Sequence, residues 1–173
     1  MTKMAVACPD PGLQWFALKV RARAEKTAET FLISRGFDVF CPTYAERRKY
    51  SDRIKSLETA LFPGYLFCKL AWTNRFPALS APTVEYIVGF GNEPTPIAFS
   101  EVTAVRSIVN SGIPCQPHPF LRVGQKVRLQ SGPLADLEGI LVGKRGNHRL
   151  VVSVGLLQRS VAAEIDSAFV RPV

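Results

Sequence analysis

The sequence predicts an α+β fold in two parts: a ferredoxin-like α/β sandwich over residues 1–110 and a small five-stranded β-barrel over residues 121–173, with a proline-rich linker at 111–120 between them. Three observations carry this reading. Elements expected in the first part follow the order β-α-β-β-α-β with one further helix, the ferredoxin-like order. The stretch NSGIPCQPHP, Asn110 to Pro119, places Pro114, Pro117 and Pro119 close together and reads as a stiffened connector. Beyond it the spacing changes to short alternating strands, and closure into a barrel removes the edges they would otherwise expose.

Each element has its own signal. QWFALKV, Gln14 to Val20, is rich in apolar and aromatic residues and reads as a strand. RARAEKTAETFLISRG then sets Ala24, Ala28, Phe31 and Leu32 at helical spacing and stops at Gly36, suited to the left-handed position after a helix end. FDVFCPTY returns as a strand, and the basic segment Glu46 to Ser56 reads as a long hairpin arm. LFPGYLFCKL, Leu61 to Leu70, alternates Tyr65, Phe67 and Lys69 with Leu66, Cys68 and Leu70, so both faces of the strand are largely apolar and both need cover. A short helix with turns, the strand TVEYIVGF and a helix capped by Ser100 complete the first part. Its helices are expected on one side of an antiparallel sheet, whose other side can stay bare. In the second part QKVRLQ, LEGILVG, HRLVVSV, RSVAAEI and FVRPV give five strands, with a turn at Gly146 and Asn147.

Twenty-two Lys and Arg against fourteen Asp and Glu leave a formal charge of +8, which favours polyanionic partners. The two parts share it equally, so the shorter second part is the denser positive object. The four cysteines lie far apart without a Cys-x-x-Cys pair, which argues against zinc and against a disulfide framework. No stretch has the length of a membrane span or signal-peptide core, and a reducing cytoplasm is the expected address. A phosphate-cradling glycine loop, a nucleophile elbow and a metal-binding helix motif are all missing, so no enzyme, cofactor or metal site is expected.

VGQKVRLQSGPLADLEGIL, Val123 to Leu141, resembles a KOW motif: a strand, a Gly132-Pro133 turn, then Gly139 leading the next strand, with glycines supplying backbone angles closed to other residues. Position 136 is Asp where relatives of this pattern often have Gly, and Asp tolerates positive φ better than most residues. With WFALKV, FPGYLF and GFGNEPTPI ahead of it, this hairpin makes nearly the whole chain resemble the NusG family of bacterial transcription elongation factors. The segments KYSDRIKSLETALFPGYLF and LLQRSVAAEID are most similar to its specialised UpxY and RfaH-type antiterminators.

The resemblance implies an N-terminal NusG-type domain and an SH3-like KOW barrel in a monomer. It also implies that the second face of the central strand is an aromatic patch for the clamp helices of the RNA polymerase largest subunit. That patch would comprise Phe62, Pro63, Tyr65 and Phe67, with Phe90 beside it and Val102 and Val105 from the last helix; Phe67→Asp is expected to abolish polymerase binding without unfolding. Core packing of the same residues is the competing reading. Arg21 and Arg23 would meet the non-template DNA strand. Lys144, Arg145, His148 and Arg149 would hold nascent RNA or a small-subunit ribosomal protein, and the arm's Arg47, Arg48, Lys49, Arg53 and Lys55 are either DNA or polymerase contacts or a solvated loop. The expected function is antitermination in long operons. Two alternatives stand open: a KOW-dependent RNA-binding, ribosome-associated protein, and the general housekeeping NusG. Strict alternation in the second part argues for strands over a helical resting form.

Overall fold

The computed structural model describes residues 12–90, 93–121, 124–144 and 147–173. Strand β1 (Leu13–Val20) leads through a short junction to α1 (Glu25–Ser34) and β2 (Asp38–Phe40). The arm follows as β3 (Thr43–Lys49) and β4 (Ile54–Ala60), then β5 (Tyr65–Ala71), α2 (Phe76–Leu79) and β6 (Val84–Ile87). A small hairpin of β7 (Gly89–Phe90) and β8 (Glu93–Pro94) precedes α3 (Phe99–Asn110). Helix α1 ends as expected at Gly36, whose φ is +86°. There the Gly36 N–H donates to Ile33 O and the Phe37 N–H to Leu32 O, the paired bonds that satisfy a helix's last carbonyls.

The four strands of the first sheet lie in the order β2-β5-β1-β6, all neighbours antiparallel, which is the ferredoxin-like arrangement. The arm extends the connection between β2 and β5 as a separate two-stranded ribbon. One sheet face sends Phe16, Leu18, Leu66, Cys68 and Leu70 under α1 and α2, where they meet Ala28, Leu32 and Ala78. The other face is not bare: Trp15, Ala17, Phe62 and Phe67 are buried together with Val102, Val105 and Ile108 of α3. That corrects the expectation of helices on one side only. Helix α3 also starts without a Ser100 cap, since Ser100 lies inside it and Ala98 precedes it with no side-chain capping bond.

The second part is a six-stranded antiparallel sheet in the order β14-β10-β11-β12-β13-β9. Its members are β9 (Cys115–Pro119), β10 (Gln125–Leu129), β11 (Glu138–Lys144), β12 (Asn147–Val154), β13 (Arg159–Ile165) and β14 (Val170–Pro172). Five were expected. The sixth, β9, comes from the proline-rich stretch and pairs with β13 from Cys115↔Ala163 to Pro119↔Arg159. Its prolines are tolerated because β9 is an end strand with a single neighbour.

The KOW-type hairpin forms as read, with Gly132 at φ +87° and Asp136 at φ +67°. The Asp136 N–H donates to Leu129 O and closes the turn. Gly139 is required for a different reason from its backbone angle: an added Cβ would sit 2.7 Å from Val151 O and 2.9 Å from Leu150 Cδ1. Helix α3 lies between the two sheets, and one apolar cluster runs from Phe67 and Val105 through to Val127, Leu150 and Val161. On its second-part side the Gly155 N–H donates to Glu101 Oε1 at 3.2 Å.

Candidate partner-binding surfaces

An aromatic cluster forms at the centre of the first part because β2, β5 and the Leu61-to-Gly64 turn converge on the α3 side of the sheet. Phe40 stacks on Phe67 with ring centroids 6.0 Å apart, and Phe62 meets Phe67 edge-on at 5.4 Å. The Arg106 guanidinium of α3 lies 4.9 Å from the Phe40 ring and 5.1 Å from that of Trp15, closing the cluster with cation–π contacts. Of the seven residues expected in a polymerase patch, Phe62, Phe67, Val102 and Val105 are brought together and fully buried. Tyr65 is half-buried at the margin with the Lys19 ammonium 4.8 Å above its ring. Pro63 is exposed, and Phe90, 72% exposed on β7, stands outside the cluster.

Burial changes what Phe67 substitutions report. Phe67 retains no accessible surface, so an aspartate there would bury an unpaired charge and act on folding before it acts on binding. The turn that presents Pro63 and Tyr65 is held from below: Glu25, buried at the start of α1, accepts the Gly64 N–H at 2.7 Å on Oε1. A carboxylate in the first turn of a helix also complements its dipole.

Arg21 and Arg23 are exposed at the junction between β1 and α1, and Arg23 holds a left-handed φ of +63° that non-glycine residues seldom adopt. On the second sheet, His148 and Arg149 are half-buried on β12. Lys144 pairs with Asn147 across the β11–β12 hairpin, which places Asn147 in a strand; Gly146, read with it as a turn, lies outside the described residues. Arg145 lies outside the described residues.

Sequence reasoning missed a second surface. Arg75 lies 4.1 Å from the Trp72 ring and 4.5 Å from the Phe76 ring, and its Nη1 donates to Trp72 O. Its signal was the spacing in WTNRF, an arginine three residues after one aromatic and beside another. Burial pushes the Cys41 and Cys68 thiols up to about 12, so both stay protonated and un-nucleophilic near neutrality. Among the described residues no group of His, Cys, Asp and Glu could hold a metal ion, and no helix is long and apolar enough to cross a membrane.

An α+β sandwich with an aromatic centre, followed by a basic antiparallel sheet built on a KOW-type hairpin, defines a two-part binding protein. A family profile described as "Transcription termination factor nusG" matches residues 13–106, more than half of the chain. "Transcription termination/antitermination protein NusG" of Neisseria meningitidis serogroup B is 33% identical over 123 residues, covering 67% of this chain and 68% of that one. The protein of the same name from Lactococcus lactis is 26% identical over 167 residues, covering 88% and 89%. The chain belongs to the NusG family and is a NusG-like transcription termination/antitermination factor. Members of that family are non-enzymatic factors that bind RNA polymerase. A solved structure described as "Domain interaction in Thermotoga maritima NusG" shares the fold, with a TM-score of 0.53 at 18% identity, covering 93% of this chain and 97% of that one.

Proposed function

We propose that this chain is a specialised antitermination factor of the UpxY and RfaH-type branch, acting in the cytoplasm as a monomer. It holds elongating polymerase at the clamp helices of the largest subunit and suppresses pausing in particular long operons. It does so by binding one polymerase conformation preferentially, with no bond chemistry of its own. The observation that supports this is the aromatic cluster reaching the surface at Tyr65 and Pro63; Phe90 is exposed separately on β7. Aromatic anchors on a rigid floor suit a helix-in-groove interface, because little side-chain freedom is left to lose. Phe62, Phe67, Val102 and Val105 then form the floor, and Tyr65, Pro63 and Phe90 make the contact.

In this reading the first unit spans residues 1–110 and the second 121–173, with 111–120 joining them and lending β9 to the second sheet. Arg21 and Arg23 serve the non-template DNA strand through charge. Lys144, Arg145, His148 and Arg149 serve nascent RNA or a small-subunit ribosomal protein.

The test is capture of core RNA polymerase by the purified chain and by the double variant Tyr65→Ala, Phe90→Asp, with circular dichroism as the fold control. Loss of two anchors is expected to weaken capture by about 30-fold or more while the spectrum stays the same. Equal capture by both would remove the aromatic contact from the account. Deletion of the gene is expected to change transcripts of one or a few long operons, and a broad growth defect would assign the chain to the general factor instead.

A further inference from the structure

Among the described residues three arginines lie over aromatic rings, and they differ in what their N–H groups reach. Arg35, over Phe31, is exposed, so its donors meet water. Arg75, beside Trp72 and Phe76, donates to Trp72 O. Arg106 of α3 is half-buried over Trp15 and Phe40, and it has neither an ion pair nor a hydrogen-bond acceptor among the described residues. The indole N–H of Trp15, buried beneath it, also lacks an acceptor there.

A guanidinium carries five N–H donors, and holding it partly out of water costs free energy unless something accepts from them. Stacking on two rings fixes the plane of the side chain and leaves its donor edge unused. Much of the rotamer freedom that a partner would have to remove is therefore lost before the partner arrives. The Phe40 ring under Arg106 stacks on Phe67, which meets Phe62 beside the turn of Pro63 and Tyr65, so Arg106 stands at the margin of the same aromatic cluster. Nothing near it on α3 adds positive charge: its neighbours at helical spacing are Val102, Thr103, Val109 and Asn110. A phosphate backbone is met by several cations together, whereas one guanidinium in an apolar frame suits one carboxylate inside a protein interface.

We propose that Arg106 is a charged contact of the polymerase surface, its guanidinium donating to an aspartate or glutamate side chain of the clamp helices as they settle on the aromatic patch. The inference rests on the polymerase reading above and adds to it a polar pair that fixes register, which apolar contacts alone do poorly.

The experiment titrates the labelled full chain with core RNA polymerase at about 50 and 200 mM salt. Wild type is compared with Arg106→Gln, with Arg106→Lys and with the double variant Tyr65→Ala, Phe90→Asp, and circular dichroism melting of each free chain is the fold control. Arg106→Gln should weaken binding by about tenfold or more at the lower salt, and by less at the higher salt, where the wild-type pair is screened. Arg106→Lys keeps the charge but loses the planar fork, and should fall between the two. Equal affinity of wild type and Arg106→Gln, or an equal loss in the Gln and Lys variants, would overturn the inference and leave Arg106 as a cover for the rings. So would the same loss by Arg106→Gln for single-stranded DNA free of polymerase, which would assign the guanidinium to a phosphate. A wild-type chain that fails to bind polymerase would remove the polymerase reading together with this one. Binding lost in the Tyr65→Ala, Phe90→Asp variant and kept in Arg106→Gln would remove this one alone.

Discussion

Strand β5 and the distal arm, residues 47–56, are both antiparallel strand structure, and they differ in what lies on either side. β5 has neighbours on both edges, β1 and β2, and helices over both faces. Among the described residues the arm has one pairing, no third strand and no cover beyond its root. Apolar residues at successive positions of β5 are therefore structural, while on the arm Arg47, Lys49, Arg53 and Lys55 are exposed and form no ion pair with any described residue. A side chain without a packing role can be changed without loss of the fold, so the two regions should separate stability from binding.

The largest expected effect is at β5. Phe67→Asp places a charge among Phe40, Phe62 and Val105, and should cost about 4 kcal/mol or more, enough to lose the cooperative melting of the first part. Near-wild-type thermal denaturation followed by circular dichroism would mean that this face is not buried in solution. Next is Glu25→Ala, which strips the buried Gly64 N–H of its acceptor and should cost about 2 kcal/mol by urea denaturation. Loss below about 0.5 kcal/mol would show that water satisfies the turn. The smallest change is expected from the quadruple arm variant Arg47→Ala, Lys49→Ala, Arg53→Ala, Lys55→Ala, whose melting temperature should stay within about 2 °C of wild type. A larger fall would show that the arm's charges hold structure, and would blur the contrast with β5.

Much of the fold was legible in the residues. Alternation in LFPGYLFCKL assigned Leu66, Cys68 and Leu70 to one face and Phe67 to the other, and the two buried clusters divide along that line. Gly36 marked the end of α1, and Asp136 accepts the left-handed angle expected of it. The misses share a cause, which is that they depend on contacts distant in sequence. Ser100 had capping chemistry, but α3 starts two residues earlier than that cap would set it, at Phe99, with Ala98 at the cap position. The proline-rich stretch gave up Cys115–Pro119 to an end strand because only one side of such a strand needs its N–H groups, a matter of sheet position.

The candidate surface was legible to a lesser degree. FPGYLF marked the aromatic cluster, yet nothing local to it distinguishes a ring under α3 from a ring under a partner. Trp72, Arg75 and Phe76 lie within five residues of sequence, and it is the geometry of the turn into α2 that stacks them.

By itself the sequence determined periodicity, turn chemistry and charge: where strands and helices run, which side chains share a face, and that the arm is basic. These follow from backbone geometry and residue type over a few positions. The tertiary structure alone decided cover. It set α3 over Phe62 and Phe67, drew β9 into the second sheet, and left both faces of the distal arm exposed, because burial depends on which distant elements share a surface.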